Sequence, residues 1–155
     1  MKFKKYLFPF ILLCCFNLNT NAIENKILIK IDSEIITSIQ VYKYSRYLSA
    51  LDENIKNLSK EERFELTKDL IVKEKIKKIK LKNEGIILDL DEKILDNYIK
   101  SIFSMRGISN FAQYKKFLEN LEMDVDVMKE KLIINLLWNN LIFKKFSSNI
   151  KINKD

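Results

Sequence analysis

The sequence contains no histidine, two cysteines, one proline and two glycines in 155 residues. Both cysteines and the proline, Cys14, Cys15 and Pro9, fall within the first 22 residues. From Ile23 onward the chain therefore cannot form a disulfide, a thiol nucleophile or a thiolate or imidazole metal site. A nucleophilic catalytic triad is excluded there as well, short of a Ser–Lys arrangement.

The first 22 residues have the three-part pattern of a secretory signal peptide. The basic start MKFKK is followed by an apolar run from Tyr6 to Phe16 and then by the polar stretch NLNTNA. Thr20 and Ala22 occupy the −3 and −1 positions of a cleavage site. We predict cleavage between Ala22 and Ile23, because the apolar run is shorter than the about 20 residues that a retained membrane anchor needs.

The remainder, residues 23–155, reads as one mostly helical domain with a small β element at its start. In ILIKIDSEIIT, β-branched residues flank the polar turn DSE, which is typical of a short hairpin. Two capping boxes, Thr37 with Gln40 and Ser59 with Glu62, predict helix starts. About five helices are expected, over 37–51, 59–83, 90–104, 111–121 and 125–146, and the alternating tail NIKINKD is compatible with a closing strand.

Two of these helices carry apolar patterns that bear on packing. In the third, we expect Ile94, Leu95, Tyr98, Ile102 and Phe103 to face inward. In the last, the segment LIINLLWNNLIF is apolar on nearly all sides. Helices of this kind are buried or shared with a partner.

Clustered carboxylates lie at the predicted helix starts, where they have a structural explanation. Asp89, Asp91 and Glu92 precede the third helix, and Asp124 and Asp126 lie at the start of the last. Carboxylates at these positions accept hydrogen bonds from free backbone amides and complement the helix dipole. Because no GxGxxG or P-loop pattern is present either, we expect no catalytic residue, no metal and no cofactor.

The order and spacing of these segments resemble the N-terminal domain of the SurA-type periplasmic chaperones. IKIDSEIITSIQV resembles the opening of that domain, and LIVKEKI stands where the family has a Leu-Ile pair. GIILDLDEKILDNYI resembles its glycine, apolar and capped-helix segment, and FAQYKKFLENLEMDVDVMKEKLIINLLWNNLI its short helix, turn and long helix. NIKI stands where a strand leads out of the domain. The resemblance covers residues 23–155 and implies the periplasm of a Gram-negative bacterium.

The chain also departs from the family pattern. Family members usually continue into one or two parvulin-type prolyl isomerase domains and then return with a C-terminal segment that packs on the N-terminal domain. A parvulin domain would need on the order of 100 residues of its own, and the resemblance to the N-terminal domain already takes up residues 23–155. The resemblance therefore implies binding and not isomerase activity. It also implies that a partner chain or a second copy covers the last helix and the unpaired hairpin edge.

The resemblance implies an ATP-independent holdase that binds unfolded outer-membrane or exported proteins through an apolar and aromatic groove. Two alternatives stay open: a non-catalytic interaction subunit, and a truncated or split N-terminal part of a chaperone–prolyl isomerase. Without the three lysines of the signal segment the net charge falls from +7 to +4, which is too mild to indicate nucleic acid or more than peripheral membrane contact. Core packing is the other interpretation of the candidate side chains. The candidate client-binding residues are Tyr44, Tyr47, Met105, Phe111, Tyr114, Phe117, Met128, Trp138 and Phe143.

Overall fold

A computed structural model describes residues 24–147, which form six α-helices and a two-stranded antiparallel hairpin. This confirms the predicted mostly helical fold with an N-terminal hairpin. The predicted cleavage site at Ala22–Ile23 and the predicted tail strand lie outside the described residues. The elements are β1 (Ile27–Ile31), β2 (Glu34–Thr37), α1 (Ser38–Leu51), α2 (Glu53–Lys56), α3 (Lys60–Asn83), α4 (Glu92–Phe103), α5 (Phe111–Asn120) and α6 (Val125–Phe146).

The hairpin turns tightly at the polar residues that the sequence indicated. Ile29 pairs with Ile36 and Ile31 pairs with Glu34, leaving only Asp32 and Ser33 between the strands. Asp32 has a φ of 51°, a left-handed conformation that its short polar side chain tolerates better than most. The turn therefore directs Ile36 into the interior, where it is fully buried.

The predicted helix starts are made by the side chains that the capping patterns named. The Thr37 hydroxyl accepts the Gln40 amide at 3.3 Å, and the Gln40 side chain accepts the Thr37 amide at 3.0 Å. Ser59 and Glu62 form the same reciprocal pair at 3.2 and 3.0 Å. Both capping boxes satisfy amides that no intrahelical carbonyl can reach, so α1 and α3 begin where the sequence predicts.

Two local features differ from the expectation. The segment DENIKN forms the short helix α2, because the Asp52 carboxylate accepts the Asn54 amide at 2.8 Å and nucleates a turn. The third long helix begins at Glu92, capped by Asp91, whose carboxylate accepts the Lys93 amide at 2.9 Å. Asp89 bonds the amide of its own neighbour, Leu90, instead. The start of α4 was therefore predicted two residues too early.

The inward face of α4 was also predicted in part wrongly. Leu95, Ile99 and Phe103 form its buried row, whereas Ile94 and Ile102 are about half exposed. The spacing of four residues places the buried three on one side of the helix. Packing of that side against α5 and α6, which the local pattern does not specify, selects this row.

The core consists of two clusters that share Tyr44 at their boundary. The smaller cluster joins the hairpin to α1 and α3 through Ile36, Val41 and Ile71. The larger one fills the space between α1, α4, α5 and α6. Its buried members are Tyr47, Leu95, Ile99, Phe103, Ile108, Tyr114, Leu118, Met128 and Leu132.

Candidate functional site

The C-terminal end of α6 presents the largest aromatic exposure on a regular element of the described chain. Phe143 is 72% exposed, Phe146 52% and Ile142 36%, and Trp138 and Leu141 beside them are partly buried. Trp138, Ile142 and Phe146 are four residues apart along α6, and Leu141 and Phe143 flank Ile142; we call these five residues the α6 apolar end. An exposed apolar strip of this kind typically marks a surface that binds another molecule.

The α6 apolar end is held in place by polar contacts between α6 and α3. Lys131 pairs with Glu74, the Lys77 ammonium donates to the Asn135 side-chain oxygen at 2.8 Å, and Lys145 pairs with Glu84 at 2.8 Å. The paired positions increase together along both helices, so α3 and α6 run parallel. Three polar contacts along their length fix which side of α6 is turned away from α3.

The last of these contacts lies at the exposed end itself. Hydrogen bonds from Lys145 and Lys80, together with their positive charges, lower the pKa of Glu84 to about 2. The Lys145 and Glu84 side chains are both partly open to water, so this pair contributes little stability. It orients the last turn of α6, which carries Phe143 and Phe146.

The pair between Lys131 and Glu74 is of a different kind, because both side chains are only 11% exposed. The Lys131 ammonium also lies 4.2 Å from the centre of the Tyr44 ring. Burial lowers the pKa of Lys131, and the charge and hydrogen bond of Glu74 offset that only in part. The buried Lys131 ammonium is stabilised by the Glu74 carboxylate and by the face of the Tyr44 ring, and the loss of either partner would leave this charge poorly compensated.

The hairpin is attached to the same two helices by Glu34. Its carboxylate pairs with Lys75 at 2.6 Å and Lys78 at 3.2 Å, and Lys78 reaches on to Glu130 at 2.9 Å. Burial would raise the pKa of Glu34, but the two lysines outweigh it and the pKa lies below its ordinary value. Burial likewise opposes the charge on Lys78, and the two carboxylates raise its pKa overall. One ionic network therefore joins β2, α3 and α6.

A cavity of about 310 Å³ lies beside this network, between α1, α3 and α6. Its charged lining includes Lys43, Lys75, Glu74, Asp124 and Lys131. The Lys131 ammonium already has its carboxylate partner, and the Asp124 carboxylate already accepts the amides at the start of α6. Within residues 24–147 no three potential metal ligands of the His, Cys, Asp or Glu type cluster together. Lys75 likewise pairs with Glu34, so within residues 24–147 only Lys43 of these five side chains has no charged or hydrogen-bonding partner.

Three of the predicted client-binding residues belong to the core. The Tyr47 and Tyr114 hydroxyls share a hydrogen bond of 2.9 Å, and Tyr114 stacks on Phe103 at a ring distance of 5.0 Å. Burial raises the pKa of both tyrosines. Met128 lies in the same cluster with 2% of its surface exposed. Because a client cannot reach these side chains without opening the core, Tyr47, Tyr114 and Met128 are removed from the candidate surface.

The partly buried candidates also serve the core. Tyr44, Phe111 and Phe117 pack against the larger cluster. Tyr44 stacks on Tyr47 with their ring centres 5.6 Å apart, and the Lys129 ammonium lies 5.3 Å from the centre of the Phe111 ring. Each of the three is partly buried.

Met105 and Phe143 are the two candidates with mostly exposed side chains, and they lie at different ends of the molecule. Met105 is completely exposed, in the short turn that Gly107 ends with a φ of 72°. The neighbouring Arg106 donates to the Ala50 carbonyl at the end of α1, at 3.4 Å, a region that lies beside the start of α3. Phe143 lies near Glu84, just past the end of α3. Since α3 is about 36 Å long, the candidates do not form one groove.

The structure adds Leu141, Ile142 and Phe146 to the candidate surface, which the sequence prediction did not include. The signal that could have found them is helical spacing, because Leu141 and Ile142 are three and four residues from Trp138 and Phe146 is three from Phe143. Trp138 and Phe143 were predicted, and both lie at the same end of α6 as these three. The candidate functional site is therefore the α6 apolar end alone.

Comparison with known proteins gives no independent assignment: we found no family model, curated protein or solved structure that matches the chain. The resemblance to the SurA-type N-terminal domain consequently stays a prediction from the sequence. Within the described residues, none of the helices combines the length and apolar character needed to cross a membrane.

Proposed function

We propose that the protein is an ATP-independent periplasmic chaperone that holds unfolded outer-membrane or other exported polypeptides. The observation that carries the proposal is the α6 apolar end, where Phe143, Phe146 and Ile142 are open to solvent on a helix that α3 holds in place. The signal-peptide pattern of residues 1–22 supports the location. The strands of outer-membrane barrel proteins alternate apolar with polar residues and carry aromatic residues near both membrane interfaces, and such segments match this surface.

The strength of such contacts suits holding and release without nucleotide. Covering one large apolar side chain contributes about 1.5–3 kcal/mol. Because Ile142, Phe146 and Phe143 are 36%, 52% and 72% exposed, covering them gives a gross gain of about 2–5 kcal/mol, from which the ordering of the client segment must be subtracted. The remainder corresponds to weak, reversible binding, and a long client would be retained by several such contacts with more than one chaperone molecule.

The proposal is tested by diluting an unfolded outer-membrane barrel protein from urea and following its aggregation by light scattering. The wild-type protein is expected to suppress aggregation near an equal molar ratio without ATP. A Phe143→Ser/Phe146→Ser variant should suppress it several-fold less at an unchanged melting temperature. The matched control is Leu66→Ser/Ile94→Ser, which removes exposed apolar side chains from α3 and α4 and should suppress as well as wild type.

Two results would overturn the proposal. One is a folded wild-type protein that leaves aggregation unchanged, and the other is equal suppression by the Phe143/Phe146 variant. Saturable binding to one folded protein, without suppression, would favour the interaction-subunit alternative. Activity that appears only when a separately encoded prolyl isomerase domain is added would favour the split-chaperone alternative.

A further inference from the structure

A second concave surface lies at the other end of α3, away from the α6 apolar end. It is an open groove of about 780 Å³ between α1, α2 and the first turn of α3. We call it the basic groove. The residues that define it are Tyr42 and Arg46 on α1, Lys56 on α2, and Lys60, Arg63 and Phe64 on α3.

The charge of the basic groove is strongly one-sided. Four cations line it, Arg46, Lys56, Lys60 and Arg63, against the single carboxylate of Glu53. A concave surface lined by one sign of charge raises the local concentration of oppositely charged ligands. The groove therefore brings four cations together in one place, whereas the other lysines and arginines are spread over most of the helices.

The cations of the groove are only partly engaged by the protein itself. Lys56 pairs with Glu53 at 3.0 Å, and Arg46 reaches Glu122 only at 3.5 Å, with both side chains largely in water. Lys60 has no ion-pair partner within residues 24–147. The Arg63 guanidinium donates to the Lys56 carbonyl at 2.9 Å and keeps further N–H groups to offer. Arginine is well suited to grip a carboxylate with two parallel hydrogen bonds.

Apolar side chains line the basic groove beside the cations, and they restrict which ligands can fit it. Tyr42 is about half exposed, and Phe64 and Leu121 are partly buried beside it. A ligand that fits must therefore carry carboxylates together with apolar or aromatic side chains. The lining from Tyr42 to Ala50 follows α1 for about 12 Å, at 1.5 Å per residue. That length matches about four residues of extended polypeptide, at roughly 3.3 Å each.

We propose that the basic groove binds a short, extended polypeptide segment in which acidic residues alternate with aromatic or aliphatic ones. The carboxylates would pair with Arg46, Lys60 and Arg63, and the apolar side chains would lie against Tyr42 and Phe64. An isolated phosphate would occupy a small part of the volume and leave the apolar walls uncovered. A membrane surface is too broad to enter a concave groove. The proposal concerns a second site and does not depend on the function of the α6 apolar end.

The test is fluorescence anisotropy with a fluorescein-labelled synthetic peptide of sequence FDFEFD, titrated with the full protein. Arg46→Gln/Lys60→Gln should bind the peptide about tenfold more weakly, since two partly exposed ion pairs contribute on the order of 1.4 kcal/mol together. Lys93→Gln/Lys100→Gln, which removes the same charge from the exposed side of α4, is the matched control and should bind as wild type. Tyr42→Ser should weaken binding without changing its salt dependence.

Further arms decide between the ligand classes. The peptide FNFQFN, which keeps the apolar side chains and removes the charges, should lose most of the affinity, and added salt should weaken binding of FDFEFD. Equal binding of both peptides, or equal loss in the Lys93/Lys100 control, would overturn the proposal. So would binding of phosphatidylglycerol vesicles, sensitive to Arg46→Gln/Lys60→Gln, by a protein that ignores the peptide. Phe143→Ser/Phe146→Ser must leave peptide binding intact, because its loss there would show that the peptide binds at the α6 apolar end.

Discussion

Replacing Lys131 by methionine should lower the free energy of unfolding by about 3–5 kcal/mol, the usual cost of breaking a buried ion pair. The Lys131 and Glu74 side chains are each only 11% exposed, so the Glu74 carboxylate would remain inside without a cation. The contact with the Tyr44 ring at 4.2 Å would be lost as well. Methionine has most of the volume of lysine, so the loss of stability reflects the missing charge more than a change in packing.

The double variant Glu74→Met/Lys131→Met separates the two contributions. It removes both charges together, and a buried pair replaced by apolar residues of similar size is often neutral or stabilising. We expect the double variant to unfold within about 1 kcal/mol of wild type, which is a large non-additivity for two adjacent sites. Lys145→Met, which breaks the solvent-exposed pair with Glu84, is the control and should cost less than about 1 kcal/mol.

Urea unfolding followed by circular dichroism and by the fluorescence of Trp138, the single tryptophan of the chain, measures all four proteins. For a domain of this size the Lys131→Met loss corresponds to a fall in melting temperature of roughly 10–20 °C. A loss below about 1 kcal/mol in Lys131→Met would refute the reasoning. A double variant that loses as much stability as Lys131→Met, or more, would refute it too.

Three further outcomes are expected. Tyr114→Phe should lower the stability measured by thermal unfolding by about 1–3 kcal/mol, because it leaves the Tyr47 hydroxyl buried without a partner. A double Tyr47→Phe/Tyr114→Phe variant that loses as much stability as the two single variants added together would contradict this. The pKa of Glu34 is held below its ordinary 4.5 by Lys75 and Lys78, so its contribution to stability is present above pH 4.5 and is lost as the pH falls below that value. Glu34→Gln should therefore be less stable than wild type near neutral pH, and melting curves should show the difference shrinking in acid; a constant difference would disprove the assignment. Thr37→Ala should cost about 1 kcal/mol in urea unfolding by removing the cap of α1, whereas Thr37→Ser should cost little.

The parts of the fold that the sequence predicts are those set by neighbouring residues. Thr37, Ser59 and Asp124 begin their helices because each hydroxyl or carboxylate has an amide two or three residues away. The turn at Asp32 is determined in the same local way. Such interactions need no knowledge of the rest of the chain.

The parts that could not be predicted depend on distant residues. Whether Ile94 or Leu95 faces inward on α4 is decided by α5 and α6, and a shift of one residue turns a helix face by about 100°. Nothing near Lys131 in the sequence marks Glu74, 57 positions away, as its partner. Because the chain contains many lysines, the sequence does not show which lysine pairs with which carboxylate. The pairs are determined only by the packing of the helices.

The same reasoning explains the outcome for the candidate site. Tyr47, Tyr114 and Phe143 are all aromatic residues on helices rich in apolar residues, and residue type alone does not show which of them are buried. On α6, the buried members of the larger cluster, Met128 and Leu132, lie in the first half of the helix, whereas Phe143 lies near its end and is exposed. The last part of α6 therefore carries apolar residues outside that cluster.

The parallel arrangement of α3 and α6 has a consequence for how the protein folds. Two adjacent parallel helices require a long connection between them, and the polar contacts that join these two are 52 to 61 residues apart. Closing a loop of that length costs roughly 3–4 kcal/mol of chain entropy before any contact is gained. Helical proteins usually fold fast because their contacts are local, and this one has its two longest helices joined by contacts of high sequence separation. We therefore expect the meeting of α3 with α6 to be slow, and until it occurs the apolar residues of LIINLLWNNLIF that α3 covers stay open to solvent.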